Sequence, residues 1–438
     1  MRELWLDLIG PSTDGKTGMT VSGVTSGTEA LSFTHENNRI SIQLGGPSKA
    51  GDRRRITIRY AGVAGDGLLI GPNKHSERVF FGDNFPDRAR HWLPTIDHPS
   101  DKAACEFVIT APEAYQVVAP GALVETSSLP GNRRLTRYRQ AVPVTTYCMV
   151  IGVARFAVET VGHVGGAPIQ SWVYSAERDP GFADFRIAMK PMQLFSWRVG
   201  PYSYERLANV QSKTRCGGME NASTIFYSER VVTGRGTNEG LFAHEIAHQW
   251  FGDSVTEADW DHTWLDNILS TNSYQKGGWF LHMLRRLVGD EVFWRGVSTY
   301  YARYQNGNAL TDDFRRVMEE VSGKALEAFF RQWVFTPGQP AIAGSWVWAN
   351  GVLTVEIRQT QTTTTVYQTA LDIGIVVDRA AAPRIETVSV DQRVQTFTIE
   401  LDKEPVDVVL DPGTWLLMKA GEFVRKTVAE VTGPATGR

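Results

Sequence analysis

The sequence predicts an α+β multidomain chain: an antiparallel β domain, then a mostly helical region, then a small β-sandwich. Apolar residues alternate in steps of two through the first third, recur at helical spacing from near residue 183, and alternate again after a proline-glycine break near 338. The 438 residues leave room for two to four domains, and 42% hydrophobic against 21% charged residues is ordinary globular composition. These patterns imply an N-terminal β domain over 1–172, a central domain over 173–338, a β-sandwich over 339–420 and a tail over 421–438.

In the β domain, Leu4, Leu6 and Leu8 alternate, as do Ile40, Ile42 and Leu44, then Ile56, Ile58 and Tyr60. Period-two patterns mark half-buried strands, and Asn37-Asn38, Gly45-Gly46 and Gly131-Asn132 supply turns between them. Further strands are expected over 106–109, 115–118 and 149–158. Helical spacing begins near Ala183, where Ile187, Leu194, Phe195 and Trp197 suggest one helix or a pair, broken at Pro191. Trp279, Phe280, Met283, Leu284 and Leu287 form a second apolar side. Thr311 caps a further helix, with Asp312 and Asp313 in its first turn and Phe314, Val317, Met318 and Val321 as its buried stripe. Pro337-Gly338-Gln339-Pro340 ends the helical region. Strands return at Leu353, Val355 and Ile357, at Phe397, Ile399 and Leu401, and at Val406, Val408 and Leu410, ending near Met418. Residues 432–438 read as a disordered terminus.

Several function classes lose support at once. A net charge of −3 gives no electrostatic case for nucleic acid or an anionic membrane. No apolar run approaches the ~20 residues of a membrane span. The first residues, Met-Arg-Glu-Leu-Trp-Leu-Asp-Leu-Ile, read as a strand and not as a signal peptide, so a soluble protein is expected, its compartment open. Cys105, Cys148 and Cys216, odd in number and widely spaced, read as buried free thiols.

The chemistry concentrates at residues 240–252, which read Gly-Leu-Phe-Ala-His-Glu-Ile-Ala-His-Gln-Trp-Phe-Gly. His244-Glu245-x-x-His248 is the H-E-x-x-H pattern of zinc peptidases. Residues four apart on a helix share a face, so both imidazoles can reach one zinc ion, and Glu245 can serve as general base toward the water that zinc activates. The surroundings favour a helix: Asn238 can cap it, Phe242, Ile246 and Trp250 give it an apolar side, and Gly252 can end it.

With the helix in place, Gly217-Gly218-Met219-Glu220-Asn221 resembles the G-x-M-E-N motif of the thermolysin-like (gluzincin) zinc aminopeptidases, the family of aminopeptidase N and leukotriene hydrolase. The order G-x-M-E-N, then H-E-x-x-H-x-W-F-G, is that family's order. Trp92-Leu-Pro-Thr-Ile-Asp97-His-Pro99, Tyr274-Gln-Lys276-Gly277, Phe330-Arg-Gln-Trp333, Pro337-Gly338-Gln-Pro340 and Asp411-Pro412 also match, so the resemblance runs over nearly the whole chain. It implies a thermolysin-like central domain that binds one zinc through His244 and His248 and activates water with Glu245. Glu220 would bind the free α-ammonium of a peptide, and Gly217, Gly218, Met219 and Asn221 would complete the substrate site. The Tyr274 hydroxyl would stabilise the oxyanion. Loops near 83–90 would help shape the pocket for the first residue.

The family's third zinc ligand is a glutamate in a W-L-x-E-G-F-A context. This chain begins that context with Trp264-Leu265, but the slot, separated from His248 by eighteen residues, holds Asn267. Asparagine is a weak zinc ligand. Tyr274 then follows only seven residues later, where the family has several dozen. The resemblance thus implies an internal deletion after Leu265 and the loss of the first strands of the N-terminal domain. Asp266, with Asp261, Asp259 and Glu257 behind it, could replace the lost carboxylate. The function expected is a zinc metalloaminopeptidase acting on peptides with a free N-terminus. A degenerate homologue that binds peptides without cleaving them is the alternative, and an epoxide hydrolase like the leukotriene enzyme shares the same motifs.

Overall fold

The computed structural model describes residues 1–260 and 272–427. Its contacts divide the chain into two units, residues 1–262 with 297–314, and 263–296 with 315–438.

The first unit opens with four small antiparallel sheets. The alternating runs become the strands Glu3–Asp7, Arg39–Gln43 and Thr57–Val63, and the Asn37-Asn38 turn has positive φ at both residues, as a tight hairpin requires. Leu8, Ile40, Ile42 and Trp92 meet in one buried cluster beneath these strands. A three-stranded sheet follows, Ala122–Leu129, Arg133–Val144 and Ala103–Pro112. The expected strand over 149–158 is instead two, Gly152–Ala154 and the start of Phe156–Val164.

The site rests on a five-stranded mixed sheet that the sequence patterns did not reveal. Its order is Phe156–Val164, Ala167–Tyr174, Leu207–Ser212, Thr224–Ser228 and Gly218–Met219. The three middle strands are parallel and the two edges antiparallel. Every residue of Leu207–Ser212 is buried, so both faces are covered and the strand carries no alternation to detect. The expected boundary at 172 falls inside one of these strands. Alternation identifies a strand but not the sheet it joins.

Two helices, Arg178–Phe185 and Met189–Arg198, are joined by a 3-10 turn at Arg186–Ala188. The break therefore precedes Pro191, which sits in the first turn of the second helix, where a missing N–H costs nothing. Helix Asp290–Tyr304 has no counterpart in the sequence reading. Among the cysteines, all free, Cys148 is buried, Cys105 is half-buried and Cys216 is exposed, correcting the expectation of three buried thiols.

In the second unit, helix Gly277–Val288 buries Phe280, Met283 and Leu284 as its spacing foretold, while Leu287 is exposed. The C-terminal strands form a four-stranded and a three-stranded sheet, with Leu353, Val355, Ile357, Leu371, Ile373 and Ile375 fully buried. This β region extends past Met418 through the strand Lys419–Arg425.

A candidate metal and peptide-terminus site

Helix Glu239–His248 carries the H-E-x-x-H residues. Ten residues are too few to hold a helix in water by themselves, so packing must hold it. Phe242, Ile246 and Trp250 are fully buried, each contributing about 2–3 kcal/mol. Phe242 stacks on Tyr227 of the strand Thr224–Ser228 at 4.1 Å between ring centroids and meets Phe185 edge-on at 5.1 Å. Asn238 occupies the N-cap position, but its side chain does not cap: Nδ2 donates to Val231 O at 2.9 Å, tying the helix entry to the preceding loop. That loop is held from below by Asp184, whose carboxylate accepts the N–H groups of Thr233, Gly234 and Gly236 at 2.5–2.7 Å. Gly252 ends the segment at φ +122°, where a Cβ would stand 3.1 Å from His248 Nδ1.

The two imidazoles converge. His244 Nε2 and His248 Nε2 lie 3.3 Å apart. Two ligands on a tetrahedral zinc at about 2.0–2.1 Å would be separated by about 3.4 Å. His248 Nδ1 donates to Phe251 O at 3.0 Å, which fixes the tautomer and leaves Nε2 with its lone pair. Burial, and then the neighbouring His248, hold His244 below the ordinary imidazole pKa, with Glu220 opposing, which favours the neutral ring a metal ligand requires. Burial, and then the charge of Glu220, push the Glu245 carboxyl up to about 9. Among the described residues no basic group acts on Glu245. Two imidazole nitrogens at ligand spacing beside two carboxyls, one of which raises the pKa of the other, form a site that fits a zinc ion.

His244, Glu245 and His248 are the one group among the described residues whose ligand atoms gather within 4.8 Å of one another. Glu257 and Asp259, considered as replacement ligands, are not part of it. Asn267, Asp266 and Asp261 lie outside the described residues.

The second motif occupies the edge strand Gly218–Met219 and the loop after it. Gly218 pairs with Tyr227, directly beneath Phe242. A Cβ at residue 218 would stand 2.2 Å from Glu245 Oε1, so this glycine makes room for the Glu245 carboxyl. At Gly217 the nearest atom to a Cβ is a Leu241 methyl at 3.7 Å, an ordinary contact. Glu220 is half-buried, and its charge acts on both His244 and Glu245. Met219 and Asn221 are buried, Met219 in the main apolar cluster and Asn221 with Nδ2 donating to Met219 O. Tyr274 belongs to the second unit and is 53% exposed.

The segment at 83–90 touches the chain entering this motif. Asp83 pairs with Arg88 at 2.7 Å and accepts the Arg215 N–H at 3.2 Å. Asp97 accepts from Arg90 N and from Thr146 Oγ1, which makes the Trp92-to-Pro99 motif a structural anchor. Several residues of the site went unnoticed in the sequence, chiefly Gln249, Asp253, Lys102 and Arg206. Only polar residues buried in the fold reveal them: Lys102 Nζ donates to Asp253 O and Ser254 O just past the helix, and Arg206 donates to Gly121 O and Ala119 O.

Comparison with known proteins separates the family from its function. The peptidase family M1 domain matches residues 188–272 and 265–333, and the peptidase M1 N-terminal domain matches residues 19–148. The chain belongs to peptidase family M1. A glutamyl aminopeptidase from Bitis rhinoceros is 23% identical over 360 residues, covering 66% of this chain and 38% of its own length. The structure of Legionella pneumophila aminopeptidase A in complex with aspartic acid superposes with a TM-score of 0.80 at 16% identity, over 96% of this chain and 55% of that one. An M1 zinc metallopeptidase from Deinococcus radiodurans gives a TM-score of 0.64 at 22% identity, over 76% of this chain and 86% of that one. This M1 chain spans at most about half the length of the curated relatives it matches first. Among the described residues, no helix is long and apolar enough to cross a membrane.

Proposed function

We propose that this M1 chain is a zinc-dependent aminopeptidase that hydrolyses the first peptide bond of a peptide with a free N-terminus. The observation that carries the reading is the pair of imidazole Nε2 atoms 3.3 Å apart on one face of the helix, flanked by Glu245 and within reach of the charge of Glu220. His244 and His248 hold the metal. When bound, zinc supplies positive charge that makes water acidic near neutral pH and polarises the scissile carbonyl.

Glu245 takes the proton from the attacking water and passes it to the departing amine. Its raised pKa suits the second half of that task, and a cation held by the two imidazoles would lower it and so favour the first. Glu220 receives the α-ammonium. A carboxylate pairs with an ammonium and gains nothing from an internal amide, which explains a preference for chain ends. Gly218 keeps the Glu245 carboxyl seated. The oxyanion role of Tyr274 rests on the resemblance alone.

Asn267 in the glutamate slot is the open point. The family domain matches in two stretches that overlap at 265–272, which supports the reading that a block of the family is absent here. Zinc content of the purified chain, measured beside Asn267→Glu, tests the proposal. Near one zinc per chain in the unmodified protein supports it. Near zero, with zinc restored in the variant, overturns it in favour of a homologue that binds peptides without cleaving them. Near zero in both overturns the metal site itself.

A further inference from the structure

Gln249, the residue after His248, is 1% exposed, and both N–H groups and the oxygen of its amide are engaged. Nε2 donates to Glu220 O and to Asp253 Oδ2, each at 2.7 Å. Oε1 accepts the Ser223 N–H at 2.8 Å, and the Tyr202 hydroxyl, which donates to Arg206 O at 3.0 Å, lies 3.3 Å from it. The amide has one workable orientation. Flipped, it would set its oxygen against the Glu220 carbonyl and its N–H2 against the Ser223 N–H.

The two main-chain partners bracket one short loop. Glu220 and Ser223 are joined through Asn221 and Ala222, so a single side chain closes residues 220–223 onto the end of the motif helix. The far end of that loop is clamped again. Ser223 holds φ at +60°, its Oγ donates to Gln140 Oε1 at 3.1 Å, and it accepts the Gly121 N–H at 2.8 Å. Asp253, the remaining partner, is fully buried and accepts the Cys148 thiol at 3.2 Å. An apolar side chain of similar length would fill the volume and satisfy none of these groups.

We propose that Gln249 is the positioning residue for the peptide's amino terminus: it locks the main chain at Glu220 to the helix bearing His244 and His248, and so sets the distance between the ammonium site and the metal site. The inference rests on the reading of Glu220 as the ammonium-binding carboxylate. Gln249 touches neither substrate nor metal in this role; it acts through Glu220. Misplacement by about 1 Å at a reacting geometry can cost about 100-fold, so loosening this link matters even if the fold stands.

The test uses the full chain depleted of metal, which removes turnover, and two probes, Leu-Ala-Ala amide and its desamino counterpart. NMR titration reads the affinity ratio of the pair in the unmodified chain, in Glu220→Gln, in Gln249→Met and in Gln249→Glu, and the same spectra report whether each variant is folded. The unmodified chain should favour the amine-bearing peptide at least tenfold, and Glu220→Gln should erase that preference. A folded Gln249→Met or Gln249→Glu should lower the ratio at least fivefold while binding the desamino peptide as before. Retention of the full ratio in either folded Gln249 variant, with its loss in Glu220→Gln, overturns this inference and leaves the Glu220 reading intact. Equal ratios in the unmodified chain and Glu220→Gln overturn both. An equal loss of affinity for both peptides on changing Gln249 shows a merely structural role and overturns the inference.

Discussion

His244 and His248 are brought together by one turn of helix, whereas the loop of Glu220 is held by partners 26 to 102 residues away in sequence. The metal half of the site follows from local geometry: any folded helix here puts two imidazoles on one side. The amine half follows from a network in which Gln249 holds both ends of the loop at residues 220–223, and Gln140 and Gly121 hold Ser223 again. Changes to the metal half should therefore remove a chemical group cleanly. Changes to the amine half should alter distances, and with them selectivity.

The largest effects should come from the metal half. His248→Ala or His244→Ala should weaken zinc binding more than 100-fold by calorimetry, since losing a ligand exceeds the about 10–100-fold cost of losing only its support. Glu245→Gln should keep the zinc and lower kcat by about 100- to 10,000-fold. If Glu245→Gln instead loses zinc, the division of roles fails.

The two glycines sharpen the contrast. A methyl at 218 collides with Glu245 Oε1, whereas one at 217 meets only a leucine methyl at ordinary distance. Gly218→Ala should cost about 1–3 kcal/mol of stability and lower kcat, because the general base has to move. Gly217→Ala should leave kcat within about twofold. Equal effects would show that Gly218 is not the seat of Glu245.

Asp184 supports the metal half from outside the site. Burial alone would raise its pKa, but the N–H groups of Thr233, Gly236 and Gly234 outweigh burial and hold it below the ordinary 3.8. With the folded pKa depressed, its stabilisation is present above about pH 4 and is lost as pH falls through the lowered value. Asp184→Asn should cost about 2–3 kcal/mol at pH 7 by chemical denaturation, and the gap to the unmodified chain should close in acid. A pH-independent gap would assign the loss to packing.

The smallest effect concerns Lys102. Burial lowers its pKa from 10.5 to about 8, with Cys148, Asp253 and Glu257 opposing. Between those values the unfolded chain binds more protons, so the lysine's contribution makes stability rise with pH from about 8 towards 10.5. That component should be missing from Lys102→Met when the two melting profiles are subtracted.

The same contrast explains what could be read from the sequence. The helix around His244 was legible because spacing, an apolar side and a terminal glycine all lie within fifteen residues. The outer strands were legible through alternation. The central strand Leu207–Ser212 was hidden because both its faces are buried, and the partners of Glu220 were hidden because sequence order does not bring them together. Asn238 was placed correctly at the helix start but given the wrong partner, since Val231 O was a contact no local pattern contains. The resemblance alone gives Met219 and Asn221 a substrate role; both are buried, Met219 on the edge strand and Asn221 in the loop after it.

The most direct test of the proposed activity is chromatographic detection of the first residue released from Leu-Ala-Ala amide by the zinc-loaded chain, run beside the N-acetylated peptide. Leucine should be released from the free peptide alone, stop on chelation and resume when zinc is restored. No release from protein carrying its zinc, or equal cleavage of the acetylated peptide, would contradict an aminopeptidase built on His244, His248, Glu245 and Glu220.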